Sequence, residues 1–291
     1  MKILNLILIP VILSTICYGK VAPDFPEPHH YFDSNIHYSN EISHIFNGRK
    51  TKPQEKIGVS IAHQNREWEY NWFLFGMVVP VYNNHIVSFG YSNYGTNGIP
   101  ITTADQVGVS ISHYDADTFE SIYLSYLPDL EFINLEILLN YKLRRLIAQK
   151  ASATNLDFHL SSSYIFNNQL GLRSRNIIGT KYKWNHGTNE DLAKYIGIYF
   201  IQPISIFSFL VEYDACLNYN DQSTAMAQLS MQLDKTISIF SSYRISTDFS
   251  SFTIGSNLKL SDVFELMYAN QNEYNDNQDL SIHTISIGVK F

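Results

Sequence analysis

The chain is short of charge. Of its 291 residues only 16% are Asp, Glu, Lys or Arg, against roughly 25% in ordinary soluble domains. Hydrophobic residues nevertheless stand at an average 45%. That combination excludes intrinsic disorder, which couples low hydrophobicity to high charge. The 20 basic residues form no dominant cluster against 27 acidic ones, which argues against nucleic acid as a partner. Long hydrophobic runs are missing as well. Past the N-terminus nothing approaches the roughly 18 apolar residues of a membrane helix, so a polytopic helical protein is excluded. Cysteine is almost absent, with only Cys17 and Cys216.

Lys2, the largely apolar run Ile3 to Ile16 and the small residues near Cys17-Tyr18-Gly19 describe a secretory signal peptide over residues 1–19, cut after Gly19. A lipoprotein would begin at Cys17, but Ile16 is a poor residue to precede that cut. Removing Lys2 takes the formal charge of −7 one unit lower. Cys216 is then the sole cysteine, and an exported chain with one cysteine has no internal disulfide. Hydrogen bonds and packing must hold the fold.

What the chain has in excess is aromatics, 14% of residues with 20 Tyr and 18 Phe. Residues 20–55 read as a polar lead or plug. From Lys56 onward the hydrophobic pattern has period two, the mark of strands. Ile133, Leu135, Ile137, Leu139, Tyr141 and Leu143 alternate with Asn134, Glu136, Asn140 and Lys142. The chain ends on Ile285, Ile287, Val289 and Phe291, alternating with Ser286, Gly288 and Lys290. Segments of about ten alternating residues are the signature of outer-membrane strands. Short turns such as Gln202-Pro203, Asp234-Lys235 and Ser261-Asp262 take turns with longer polar stretches, Arg144 to Ala153, Gly179 to Lys194, Arg244 to Ser250 and Gln271 to Asp279. The expectation is an all-β, antiparallel transmembrane β-barrel over residues 56–291, of about 14 strands within a range of 12 to 16. The count takes twelve strands from Asp105 to Phe291 and two more at Glu69–Val79 and His85–Tyr94. It leaves Lys56–His63 over, inside or below the barrel. It also puts the tight Tyr82-Asn83-Asn84 turn outside and the long Tyr94–Ala104 stretch on the periplasmic side, the reverse of what their lengths ask.

One face of each strand then meets lipid and the other a mixed lumen. The candidate lumen-lining residues are Glu136, Asp157, His159, Arg173, Arg175 and Glu212, with Asp214, Gln228 and Lys259 on the same alternate positions. Arg173 and Arg175 facing the acids would form an electrostatic network or simply fill a narrow lumen with salt bridges. Asp157, His159 and Ser161 share one strand face, and a His beside a Ser can activate a nucleophile. Such i, i+2 pairs are common by strand geometry alone, so no catalytic residue is assigned. His29, His30, His37 and His44 lack a ligand spacing, so neither metal nor cofactor is expected. Arg144, Arg145 and Lys150 read as a small basic loop able to touch lipopolysaccharide phosphates. Ile285, Ile287, Val289 and Phe291 read as the signal for the barrel-insertion machinery.

Several segments carry a family resemblance. They are Gly108-Val109-Ser110-Ile111-Ser112, the strand-turn-strand Glu120 to Lys142, Gly171-Leu172-Arg173-Ser174-Arg175-Asn176-Ile177-Ile178-Gly179, Phe252-Thr253-Ile254-Gly255, Phe264 to Ala269 and Leu280 to Phe291. Together they resemble the FadL-like outer-membrane proteins and, within them, the PorV-type group. The family's Asn-Pro-Ala-Gly segment is missing. The resemblance implies a 14-stranded barrel in the outer membrane of a Gram-negative-type cell. It implies uptake of hydrophobic or small molecules, or else a docking role with a partner of a type IX-like secretion system. An outer-membrane phospholipase is the more distant alternative. The partners expected in every case are outer-membrane lipid and lipopolysaccharide.

Overall fold

The computed structural model describes residues 56–291 apart from 67–69, 82–84, 97–98, 102–111, 115–116, 129, 131–132, 147–148, 163–167, 220–222, 247–248 and 276–278. The signal peptide, the polar lead with its four histidines, and Gly108 to Ile111 of the resemblance lie outside the described residues.

Eighteen strands follow one another in the described chain. They are β1 (Gly58–Arg66), β2 (Tyr70–Pro80), β3 (Ile86–Thr96), β4 (Ile99–Ile101), β5 (Ser112–Tyr114) and β6 (Asp117–Leu127). Next come β7 (Ile133–Leu146), β8 (Gln149–Ser162), β9 (Gln169–Gly179), β10 (Tyr182–Trp184), β11 (Asn189–Glu190) and β12 (Tyr195–Ile204). The last six are β13 (Phe207–Cys216), β14 (Thr224–Gln232), β15 (Ile237–Ser246), β16 (Phe249–Lys259), β17 (Phe264–Asn275) and β18 (Asp279–Lys290). Fourteen of them close into an antiparallel barrel, in which β8 pairs with β9 and β18 returns to β1. The short β10 and β11 add a hairpin to the edge of β8, and among the described residues β4 pairs with β5 alone.

The barrel class and the number fourteen agree with the sequence, but the strands that make up the number differ. Gly58–Arg66 is a wall strand and not a leftover, paired with β18 from Gly58↔Lys290 to Arg66↔Ile282. The supposed strand after Asp105 gives way to this one, because β3 pairs directly with β6. Adding a strand before β2 reverses the direction of β2 and β3. The Val81–His85 turn now lies at the same end as Gly58 and Lys290, and the long connection from β3 to β6 at the other. We call these the turn end and the loop end. The polar stretches Arg144–Ala153, Arg244–Ser250 and Gln271–Asp279 are not loops either. Strands run through them and leave only 147–148, 247–248 and 276–278 between. Beyond lipid the outward face no longer needs apolar residues, so a strand can continue after its alternation of polarity stops.

Alternation decides the two faces. On β16, Ser251, Thr253 and Gly255 are buried while Phe252 (37% exposed) and Ile254 (56%) face out. On β7, Ile133, Ile137, Leu139 and Tyr141 face out around buried Glu136, Leu138, Asn140 and Lys142. The outward apolar belt reaches the tips of the turns, where Ile206, Leu233, Leu260 and Phe291 stay exposed. Closure pairs every wall strand on both sides. No unsatisfied backbone edge is then left to meet hydrocarbon, where each unpaired group costs several kcal/mol. No helix among the described residues is long and apolar enough to cross a membrane.

Candidate functional site: the inner wall

Period two turns side chains inward, and strand register then decides which of them meet. The inner wall divides into two arcs. The arc on β1, β2, β3 and β6 is the more apolar, with buried Ala62, Trp72, Leu74, Val78, Ile86, Tyr94, Phe119, Tyr123 and Leu127 in one cluster with Leu138 and Met267, interspersed with buried Ser60, Gln64, Ser88, Ser92, Ser121 and Ser125. The arc from β7 to β15 is polar, with buried Glu136, Asn140, Asp157, His159, Arg173, Glu212, Asp214 and Arg244. Arg175 is half-buried beside them.

One register row crosses the polar arc. Glu136 stands opposite His159, His159 opposite Arg173, Arg173 opposite Gly197, and Gly197 opposite Asp214. Ser125 donates to Glu136 Oε1 at 2.5 Å, and His159 Nδ1 lies 3.2 Å from Glu136 Oε2. Arg173 reaches across β12 to donate from Nε to Asp214 Oδ1 at 2.9 Å, and its Nη2 pairs with Glu212 at 2.6 Å and with Asp214. Gly197 makes this reach available. A Cβ there would crowd Asp214 Oδ1 and stand 2.8 Å from Arg173 Nε. One guanidinium thus bridges two buried carboxylates, and a charged hydrogen bond of this kind is about twice as strong as a neutral one. Asp157 does different work. Its Oδ1 accepts from the Asn176 backbone N–H at 2.7 Å, where β9 bulges and Asn176 takes φ 56°. Asn176 Nδ2 donates in turn to Ala193 O at 2.8 Å, tying the bulge to the segment before β12.

The structure therefore brings Glu136 together with His159, and Arg173 with Glu212, while Asp157 holds backbone. His159 turns toward Glu136, and the Ser161 hydroxyl meets Asn134 Nδ2 at 3.4 Å. The His159–Ser161 pair of a nucleophile is not formed. Ile285, Ile287 and Phe291 face outward and exposed, with Val289 half-buried among them. Cys216 is free and buried.

The basic loop needs correction. Arg144 is an inward, buried residue of β7 and lies 2.8 Å from Glu190 of β11. Arg145 points outward to Glu120 at 3.1 Å, and Lys150 is exposed on β8. Alternation separates neighbours in sequence onto opposite faces. Arg144 also continues an aromatic row that the sequence does not announce. Trp72 stands opposite Tyr94, Tyr94 opposite Phe119, Phe119 opposite Arg144, Arg144 opposite Ala151, and Ala151 opposite Trp184. The rings touch in turn: Trp72 and Tyr94 edge to face at 6.3 Å, Tyr94 and Phe119 tilted at 6.1 Å. The Arg144 guanidinium lies 4.7 Å from the centre of the Phe119 ring and 5.7 Å from that of Trp184. All of these residues sit toward the loop end. At the turn end a cavity of about 1100 Å³ opens between Gln232, Ser238, Asn257, Lys259, Glu265 and Lys290.

A closed, even-numbered antiparallel barrel with an apolar outer belt and a mixed inner wall defines the class: an outer-membrane type β-barrel. No family model and no curated protein sequence matches the chain. Among solved structures, the monoaromatic hydrocarbon channel CymD superposes at a TM-score of 0.53 with 9% identity, over 82% of this chain and 89% of that one. A mutant of the monoaromatic hydrocarbon channel TodX gives 0.49 at 8% identity over 81% and 88%. The KdgM porin in complex with disordered oligogalacturonate gives 0.38 at 9% identity over 80% and 99%. At such identities the likeness is one of fold, and the CymD superposition is the one that carries it.

Proposed function

We propose that the protein is an outer-membrane channel for small apolar solutes, exported by residues 1–19, with its turn end in the periplasm. The observation that carries this is the apolar arc on the inside of the wall. Spanning a membrane requires apolar residues only on the outer face, and water-filled barrels are polar within. Trp72, Leu74, Val78, Ile86, Phe119 and Leu127 face the other way. Such a surface lowers the cost of moving an apolar solute, by about 25 cal/mol for each Å² it covers. The fold shared with a hydrocarbon channel supports the reading, as does the resemblance to FadL-like proteins. The secretion-docking alternative draws no observation from the described residues, and the phospholipase alternative loses its His–Ser contact.

The test is uptake into proteoliposomes of the refolded barrel. Toluene entry should exceed that of protein-free vesicles, and Leu74→Asp, which puts a charge in the apolar arc, should cut it several-fold. Equal entry with and without protein would overturn the proposal.

A further inference from the structure

We propose that Arg144, with the rings on either side of it, is a binding site for small aromatic carboxylates, held closed by the protein's own β10–β11 hairpin. The argument begins with what the hairpin offers. Glu190 brings a carboxylate to Arg144 Nη1 at 2.8 Å, and Trp184 brings a ring face to the same guanidinium at 5.7 Å. Trp184 Nε1 donates to the second Glu190 oxygen at 3.1 Å, which locks ring and carboxylate into one unit. The hairpin therefore presents an aromatic ring and a carboxylate at fixed spacing to a single arginine. A free aromatic acid carries the same two groups in one molecule. Phe119 provides a second ring at 4.7 Å, so the guanidinium is in reach of two rings, one from β6 and one from the hairpin. Arginine suits the role because its planar fork binds a carboxylate while its faces stack on rings.

The exchange asks only the Glu190 side chain to leave. The hairpin pairs at Tyr182↔Glu190 and Lys183↔Asn189, and it stays tied to β8 through Lys183↔Ser152, Trp184↔Ala151, the Asn185 N–H donating to Lys150 O at 2.9 Å and Tyr182 buried against Ala151 and Ala153. Gly187 turns it at φ 93°, with open space where a Cβ would stand. The Glu190 side chain is 28% exposed while that of Arg144 is 5% exposed. Water, and an anion arriving with it, therefore meets the carboxylate side of the pair first. A ligand that takes Glu190's place frees the hairpin from Arg144 and leaves its ring against Phe119. From there Tyr94 and Trp72 continue the aromatic row along the wall. The site extends the channel reading, but its binding step is measured without transport.

The test is calorimetric titration of the refolded full chain in micelles with sodium benzoate, acetate and toluene. Wild type should bind benzoate and bind acetate far more weakly, because acetate lacks the ring. Glu190→Ala removes the internal competitor and should tighten benzoate roughly tenfold, the worth of one charged hydrogen bond. Arg144→Met should abolish the binding, with heat-modifiable gel mobility as the check on its folding. If Arg144→Met does not fold, Glu190→Ala decides alone. Unchanged or weaker benzoate binding in Glu190→Ala overturns the proposal, as does benzoate binding by folded Arg144→Met. Toluene binding as well as benzoate overturns the acid assignment while leaving the channel reading in place. Benzoate binding without toluene uptake by vesicles does the opposite.

Discussion

At the scale of single residues, the inner wall is decided by who stands beside whom. Arg173 has Glu212 and Asp214 because Gly197, on the strand between, has no side chain to block the reach. Breaking one member of a buried ion cluster costs about 3–5 kcal/mol, since its partners are left charged and unpaired. Arg173→Met should therefore lower the urea midpoint of the reconstituted barrel sharply. Gly197→Ala keeps all three charges and forces them apart. Overpacking of this kind costs about 1–3 kcal/mol, so its midpoint should fall between that of Arg173→Met and wild type. Tyr199 lies over Gly171 and Phe240 over Gly255 in the same manner. Period two in the sequence shows that Glu212 and Asp214 share a face. It says nothing of Gly197 or Glu190, because neither strand order nor register is written in one strand's pattern. Arg144 shows the other limit. Read as part of a basic run with Arg145, it looked like a loop charge, and only the pleat separates the two.

At the scale of elements, the turns carry their own instructions. Between β14 and β15, Asp234 Oδ1 accepts from the Thr236 hydroxyl at 2.7 Å, the Thr236 N–H at 2.6 Å and the Ile237 N–H at 2.8 Å. This is the local pattern that makes Asp a turn residue. Chiefly the Thr236 hydroxyl, with the two backbone donors, holds the Asp234 carboxyl below its ordinary value. A carboxylate whose folded value is depressed stabilises the turn at every pH above its unfolded value, roughly 3.9. That help is lost as pH falls through the lower folded value. Carboxyl NMR titration should place the Asp234 midpoint below that of a model peptide, and Thr236→Ala should move it back up. Such turns were legible as turns. The ends of the strands facing them across the barrel were not, because strands emerging from lipid lose their apolar alternation before they lose their hydrogen bonds.

At the scale of the whole molecule, the barrel was legible from alternation, low charge and aromatic excess, since each follows from a wall with lipid on one side. The place of Gly58–Arg66 was not, because a strand of nine residues reads the same wherever it pairs. Its pairing can be trapped. Cα atoms of antiparallel partners lie about 4.5–5.5 Å apart, within disulfide range. With Cys216 replaced by serine, cysteines at Val59 and Val289 should bridge on oxidation and alter gel mobility after boiling. Failure to bridge would remove this strand from the wall.

That seam is also the one long-range closure among the described wall strands. Neighbouring wall strands elsewhere in the ring follow one another along the chain, separated at most by the small β4–β5 and β10–β11 pairs. Such hairpins gather at the modest entropic cost of short loops. Only Gly58 and Lys290 must meet across nearly the whole described chain. Until they do, the nascent sheet has two open edges, each able to template the wrong partner. The pairing of β18 with β1 is thus the one that completes the ring, and a chain lacking β18 would remain an open sheet, exposed to aggregation rather than merely less stable.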